Sequence, residues 1–254
     1  MTPLVPLARV VAADSFAARV VAITARLATA IDEAEAVGVL HQAAATMGAD
    51  AAAFVSFVRD DDAHDTFRFL LACDPVWCAE YERRAWYALD PWLAYARAHT
   101  EPVRSADVPA EAGVQREIVE LARRHGFSDA LIVPAPASGM VTRLGVLCLG
   151  SEHEGFFGDE GYAILKPLAR SLAMELHAWW IERIKRELAR AAQLTEEDLL
   201  LLRHERQGRG TKAIASELAA SPNAINSRFQ RMNARLGVPN RKAAAQLAAE
   251  YGLI

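Results

Sequence analysis

Cysteine is scarce in this 254-residue sequence, which limits the chemistry available to it. Its three cysteines, Cys73, Cys78 and Cys148, form no CxxC pair, so the sequence predicts neither a disulfide framework nor a structural zinc site. The seven histidines form no HExxH motif or comparable cluster, and no metal site is predicted. Reduced thiols in a cytosol are therefore expected.

Long hydrophobic runs are also missing. No stretch of about 20 uninterrupted apolar residues occurs, so no membrane span is predicted. The start, MTPLVPLARVVAAD, lacks a basic region followed by a longer apolar core and a cleavage site. Hydrophobic residues make up 52% of the chain and charged residues 24%, which is enough to bury a core. We expect a soluble, cytoplasmic protein with no membrane partner.

Charge is unevenly distributed along the chain. Residues 190–254 hold 10 Lys and Arg against 6 Asp and Glu, a balance of +4, which leaves a balance of −8 for residues 1–189. A basic tail on an acidic body indicates a polyanion partner for the tail alone.

Hydrophobic periodicity divides the N-terminal part into helices and strands. Two pairs of β-rich runs, at residues 51–60 with 66–73 and 130–136 with 142–152, are typical of hairpins, with predicted turns at 61–65 and 138–139. Helical patterns cover residues 10–47, 76–98, 114–125 and 160–192, with breaks near Asp32 and at Asp90–Pro91. This order predicts an α+β domain, an α-β-α sandwich with one antiparallel sheet and a ligand pocket. We place this domain at residues 1–185, a linker at 186–193 and a second domain at 194–254.

The C-terminal part reads as a small all-α domain of four helices, at about 196–207, 212–219, 222–236 and 240–251. Thr195 fits an N-cap with Asp198 three residues later, an Asp version of the capping box. Ser221 fits the N-cap of the third helix and Pro222 its first residue. A short helix, a turn and a longer helix form the outline of a helix-turn-helix.

The third helix presents two different faces when it is rotated by 100° per residue. Ile225, Phe229, Met232 and Leu236 fall on a coreward stripe. The outer face carries hydrogen-bonding and basic side chains and could be an ordinary solvated face or a DNA-reading one. Because Asn, Gln and Arg pair with base edges and phosphates, we interpret it as DNA-binding. The candidates are Asn223, Ser227 and Arg231 near bases and Lys212, Asn226 and Arg228 near phosphates, with Gln230 and Thr211 as further DNA-binding residues.

These residues belong to a stretch that resembles the DNA-binding domain of LuxR-type transcription regulators. The matching positions are Leu194-Thr195, Gly208, Ile214-Ala215 and Leu236-Gly237-Val238. Two positions depart from the family pattern: Asp198 stands where Glu is usual, and Ala224, Ile225 and Arg228 stand where Thr-Val…His is common. The resemblance implies a regulator that binds a double-stranded DNA operator as a homodimer.

The stretch WCAEYERRAWYALDPW, residues 77–92, resembles the autoinducer-binding domain of the same regulators, through Trp77, Tyr81, Asp90 and Pro91. Taken singly, these residues could equally be a core pair and a helix cap. A phospho-accepting receiver domain would need acidic residues and a Lys on parallel strands, which this pattern lacks. The resemblance implies that Trp77 hydrogen-bonds a lactone carbonyl, Asp90 accepts an amide N–H and Tyr81 lines the acyl side.

Four further positions concern the ligand. Ser105 aligns with a second family Trp, Ala130 with a Gly, and Cys148 and Ile132 with a polar Ser or Thr. The candidate ligand-binding residues are Trp77, Tyr81, Asp90, Cys73, Trp92, Ser105, Ile132 and Cys148.

The resemblance identifies the chain as a ligand-responsive transcription regulator that senses an acyl-homoserine lactone or related signal in quorum sensing, with no catalytic residue and no cofactor beyond that effector. Two alternatives stay open: a regulator that is ligand-independent or answers to a non-lactone signal, and an enzyme domain using Cys148 or a His joined to a DNA-binding tail. For self-association, the sequence offers the adjacent Trp179 and Trp180, which we expect one chain cannot bury together. It also offers the C-terminal stripe Ala244, Leu247, Ala248 and Tyr251.

Overall fold

The computed structural model describes residues 5–59, 65–136 and 143–254. The described residues form two compact units, the first running to Trp179 and the second from Trp180 to Ile254. The division falls inside one long helix. The predicted turns at 61–64 and 138–139 lie outside the described residues.

The first unit is a five-stranded antiparallel sheet between helices, in the strand order β2-β1-β5-β4-β3. Its helices are α1 (Leu7–Val11), α2 (Phe16–Thr24), α3 (Glu33–Thr46), α4 (Pro75–Arg83), α5 (Pro91–Ala98) and α6 (Val114–Arg124), followed by the part of α7 (Tyr162–Ala191) that precedes Trp180. Its strands are β1 (Ala51–Arg59), β2 (Asp65–Ala72), β3 (Val103–Arg104), β4 (Asp129–Pro136) and β5 (Arg143–Ser151). The predicted α-β-α sandwich is confirmed. The two-residue β3 was not predicted.

Two Asp-Pro dipeptides begin the helices α4 and α5, which contribute residues to the site. Asp74 accepts a hydrogen bond from Val76 N at 2.9 Å and starts α4. Asp90 starts α5 in the same way, so the predicted break at Asp90–Pro91 is confirmed. Proline suits the first helical position because its missing N–H would be unpaired there anyway. The helical pattern also breaks at Ala85, whose φ of +50° was not predicted.

Strand register decides which side chains face α4 and α5. Val55 of β1 pairs with Phe69 of β2 and with Val146 of β5, and Ala53 pairs with Cys148. Since alternate residues of a strand point to one face, these side chains share an apolar layer with the helices α4, α5 and α6.

The second unit contains the four predicted helices: α8 (Glu196–Arg206), α9 (Thr211–Glu217), α10 (Pro222–Leu236) and α11 (Arg241–Glu250). Both bonds of the capping box between Thr195 and Asp198 form, each at 3.2 Å. Ser221 caps α10 by accepting from Ala224 N at 3.1 Å. Ile225, Phe229 and Met232 are buried in the core of the unit, as the coreward stripe predicted.

One of the two self-association surfaces read from the sequence is buried, and the other is buried in part. Trp179 and Trp180 are 6% and 3% exposed, so the expectation that one chain cannot bury both was wrong. Trp179 Nε1 donates to the Ala30 carbonyl oxygen at 2.9 Å. In the C-terminal stripe, Ala244 and Ala248 are fully buried in the core of the second unit. Among the described residues, no helix combines the length and apolar character that crossing a bilayer requires.

Candidate functional site

A small cavity lies between the sheet and the helices α4 and α5. Its volume is about 10 Å³, room for a single water molecule. Trp77 and Tyr81 reach it from successive turns of α4, while Asp90, Trp92 and Leu93 reach it from the start of α5. The complete wall consists of Val55, Phe69, Trp77, Cys78, Tyr81, Asp90, Trp92, Leu93 and Cys148.

Asp90 is the buried carboxylate of this cavity, at 5% exposure. Its Oδ2 accepts from the Tyr81 hydroxyl at 2.8 Å, and its Oδ1 accepts from the backbone N–H groups of Trp92 and Leu93 at 2.7 and 3.3 Å. Burial, the largest influence, raises the pKa of the Asp90 carboxyl, and these hydrogen bonds offset only part of the rise. A carboxylate offers about four acceptor positions, so about one remains for a further donor.

Trp77 supplies a donor that nothing uses. Its indole is buried, and within the described residues Nε1 has no hydrogen-bond partner. The ring packs against Tyr81 and Phe127, with centroid separations of 5.8 and 5.2 Å. Because an unpaired buried donor costs about 1–3 kcal/mol, this N–H favours any occupant that brings an acceptor.

Tyr81 acts on Asp90. Burial first, and then the neighbouring Asp90, raise the pKa of the Tyr81 hydroxyl, so it stays protonated and donates to the carboxylate. That bond aims Oδ2 and leaves Tyr81 to line the cavity with its ring.

The cysteines near the cavity are weak nucleophiles. Burial raises the pKa of the Cys148 thiol, and it raises that of Cys73 to about 12 and that of Cys78 to about 11. Since the thiolate is the reactive form, Cys78 and Cys148 serve as apolar wall, and Cys73 belongs to the apolar cluster around the cavity. Within the described ranges, no group of three or more His, Cys, Asp or Glu side chains is placed to hold a metal ion.

Three predicted ligand residues do not line the cavity. Ser105 Oγ donates to Asp129 at 3.3 Å and accepts from Ala130 N at 2.9 Å, so it secures the start of β4. Cys73 and Ile132 belong to the surrounding apolar cluster. The structure adds Val55, Phe69, Leu93 and Cys78 instead. The alternation of side chains along a strand could have predicted that Val55 and Phe69 lie on one face of the sheet. It could not have predicted that this face lies beside Trp77.

The second unit exposes a polar face on α10. The three residues that were predicted to lie near bases, Asn223, Ser227 and Arg231, are exposed. The predicted DNA-binding residues Lys212, Asn226 and Gln230 are exposed as well. No acidic residue occurs on α10. Thr211 is half-buried and accepts from Arg241 at 2.8 Å, so it helps to join α9 to α11.

Arg228 differs from the other predicted DNA-binding residues. Its Nε donates to Asp198 at 2.8 Å and its Nη2 to Thr195 Oγ1 at 2.9 Å, while Nη1 pairs with Glu197. All three guanidinium nitrogens are therefore engaged inside the unit, and we do not retain the phosphate contact predicted for this residue.

Comparison with known proteins places these features in context. The family model described as autoinducer binding domain matches residues 32–178. Two structures of SdiA are similar in fold. The first, from Escherichia coli, has a TM-score of 0.72 and 19% identity and covers 94% of this chain and 99% of that one. The second, in complex with octanoyl-rac-glycerol, has a TM-score of 0.68 and 18% identity, with coverages of 95% and 97%.

A third similar structure is CepR2 from Burkholderia cenocepacia, described as an N-acylhomoserine lactone dependent LuxR family transcription factor. Its TM-score is 0.57 and its identity 17%, and the match covers 66% of this chain and 98% of that one. No curated protein sequence matches the chain significantly. At these identities the likeness concerns the fold.

Proposed function

Because the chain belongs to the autoinducer-binding domain family, we propose that it is a cytoplasmic transcription regulator. In this proposal a small effector binds in the cavity beside α4 and α5, and a DNA operator binds through the domain formed by residues 194–254. The observation that carries the proposal is the unused Trp77 N–H in the same apolar cavity as the buried Asp90 carboxylate.

The effector's chemistry follows from these two groups. Trp77 requires an acceptor and Asp90 has room for one donor, a combination that an amide supplies with its C=O and N–H. The rest of the wall is apolar or aromatic, which suits an acyl group. An acyl-homoserine lactone has both parts. An acyl glycerol, the ligand named for SdiA, has a carbonyl and hydroxyl donors, and it is the second candidate.

Occupation requires the wall to move. A cavity of about 10 Å³ is far below the roughly 300–1,000 Å³ of typical ligand pockets. Phe69 lies on β2, one of the two edge strands of the sheet, and is only partly buried. We therefore expect this side of the cavity wall to move at the lowest cost in free energy.

Thermal unfolding of the full chain tests the proposal. The panel contains acyl-homoserine lactones of varied chain length and octanoyl glycerol. A ligand present at about 1,000 times its Kd adds about 4 kcal/mol to the free energy of unfolding and raises Tm. If no member of the panel raises Tm at any concentration, the effector proposal is wrong.

The enzyme alternative gives a separate prediction at Cys148. Cys148→Ser should change effector affinity by less than about threefold, because the thiol is protonated wall and serine keeps nearly its shape. Calorimetry of the variant and the wild type measures this. Turnover of a panel member by the wild type that disappears in Cys148→Ser would favour the enzyme alternative.

For DNA reading, we expect two substitutions to act differently. Lys212→Ala removes an exposed charge at the start of α9 and should weaken binding to all sequences alike, lowering the slope of log K against log salt by about 0.9. Arg231→Ala should relax discrimination at one base position by about 1–3 kcal/mol. Fluorescence anisotropy with an operator selected from a randomised pool and with single-base variants measures both. Equal losses on every sequence for Arg231→Ala would exclude base reading by that residue.

We also propose a homodimer, since one recognition helix reads only a few base pairs. Two apolar side chains of α7 are exposed, Ile164 at 50% and Met174 at 45%, and we take α7 as the helix that a two-fold axis pairs with its own copy. Met174→Glu should shift the chain from dimer to monomer in sedimentation at micromolar concentration. Val21→Glu, at a 54% exposed site on α2, is the control and should stay dimeric. A wild-type monomer in the presence of effector and operator would contradict the dimer.

A further inference from the structure

Asp198 is a buried anchor at the start of α8. It is 2% exposed, and its carboxylate accepts from Arg228 Nε and Arg235 Nη2, both at 2.8 Å, and from Thr195 N at 3.2 Å. Burial acts most strongly and on its own would raise the pKa of Asp198, but the hydrogen bonds from the two arginines and Thr195 together lower it. The carboxylate is therefore charged at neutral pH.

The two arginines that grip Asp198 lie seven residues apart on α10, two helical turns along one side. Each makes further bonds to the segment around the α8 N-terminus. Arg228 donates to Thr195 Oγ1 at 2.9 Å, and Arg235 Nη1 donates to the Gln193 carbonyl oxygen at 2.6 Å. The helix α10 is thus held at two points to residues 193–198, which restricts both its rotation and its tilt.

We propose that Arg228 is a positioning residue that acts through Asp198 to set the angle at which α10 presents Asn223, Ser227 and Arg231 to DNA. The inference rests on the proposed DNA-binding function and names a role in it that is not DNA contact. A phosphate contact and a positioning contact differ in what they do to salt dependence and to sequence preference. The salt dependence of binding reports the number of phosphate contacts, because each contact releases counterions from the DNA. A helix α10 held at the wrong angle loses contacts to bases and keeps the electrostatic part of binding.

The first experiment measures salt dependence with the full-length protein on a random-sequence DNA duplex. Arg228→Gln should leave the slope of log K against log salt unchanged. The measurement must be precise enough to resolve the drop of about 0.9 that is expected for Lys212→Ala. Arg203→Gln, an exposed residue of α8, removes the same charge and is the matched control. A drop in slope for Arg228→Gln as large as that of Lys212→Ala would overturn the inference and restore a phosphate contact.

The second experiment measures preference, as the ratio of affinities for an operator selected from a randomised pool and for the random duplex. Arg228→Gln and Asp198→Asn should each lower that ratio about tenfold, the size expected for loss of a charged hydrogen bond. The double variant should lose clearly less than the sum of the two single losses, because the contact between Arg228 and Asp198 is broken by either change. Additive losses, or an unchanged ratio, would contradict positioning through Asp198.

Folding is checked by far-UV circular dichroism at the binding temperature. A variant that is merely less stable but folded there keeps its preference ratio, so the ratio separates positioning from stability. If Arg228→Gln does not fold, Arg228→Lys keeps one bond to Asp198, and it should give an intermediate ratio with an unchanged salt slope. A wild-type protein that binds neither duplex would overturn the DNA-binding proposal itself, and this inference with it.

Discussion

With an effector at about ten times its wild-type Kd, Trp77→Ala and Asp90→Ala are each expected to remove most of the rise in Tm that the effector produces, while the second unit stays folded. Trp77→Ala removes the unused N–H and most of one cavity wall. Asp90→Ala removes the acceptor for the effector's donor and also leaves the buried Tyr81 hydroxyl without its partner. Losing a charged hydrogen bond of about 1.5–3 kcal/mol corresponds to a fall in affinity of about tenfold to more than a hundredfold. Titration calorimetry measures this, and unchanged affinity in both variants would refute the site.

Two control substitutions separate binding from folding. Trp77→Phe keeps an aromatic ring in the cavity wall but deletes the N–H that has no partner. It should weaken effector binding by more than any loss of stability, measured as the Tm of the free protein, would account for. Asp32→Ala deletes the N-cap of α3, where Asp32 accepts from Glu35 N at 2.9 Å. It is the control for Asp90→Ala, because Asp90 also caps a helix. It should cost about 1 kcal/mol of stability and leave the effector shift intact.

Gly150→Ala should be strongly destabilising although it adds one methyl group. The added Cβ would overlap Phe127 Cδ1 and would lie 2.5 Å from the Gly126 carbonyl oxygen. The Gly126 atom is part of the backbone, which cannot move aside as the far end of a flexible side chain can. Phe127 packs on Trp77, and the displacement therefore reaches the cavity wall. We expect a loss of about 3 kcal/mol in the free energy of unfolding, near the upper end for overpacking, measured by urea denaturation.

Gly38→Ala is the matched control for that prediction. Gly38 lies inside α3 and an added Cβ meets nothing within 4 Å, so the same substitution should stabilise the chain by about 0.5–1 kcal/mol. Equal midpoints for Gly150→Ala and the wild type would show that β5 and the Phe127 segment can separate without penalty.

Local signals in the sequence were sufficient for the helices and their ends. Thr195, Ser221 and Pro222 mark starts of helices in the second unit because a cap depends only on residues within one turn of it. The resemblance of residues 77–92 to the autoinducer-binding domain named Trp77, Tyr81 and Asp90, and all three line the cavity. The family resemblance of residues 77–92 is confirmed by the match over residues 32–178.

Contacts between distant segments depended on the tertiary structure. Pairing of β1 with β5 places Val55 and Cys148 on the wall facing Trp77, and strand alternation alone cannot name the partner strand. Arg228 reads from its sequence position as a free cation on a recognition helix, yet Asp198, thirty residues earlier, engages it. Trp179 and Trp180 are both buried, although adjacent rings on a helix point in different directions. The local chain determined which segments are helical and where they begin. Which side chains remain available for an effector or for DNA was decided by the surfaces that meet on folding, because burial and ion pairing join residues far apart in the chain.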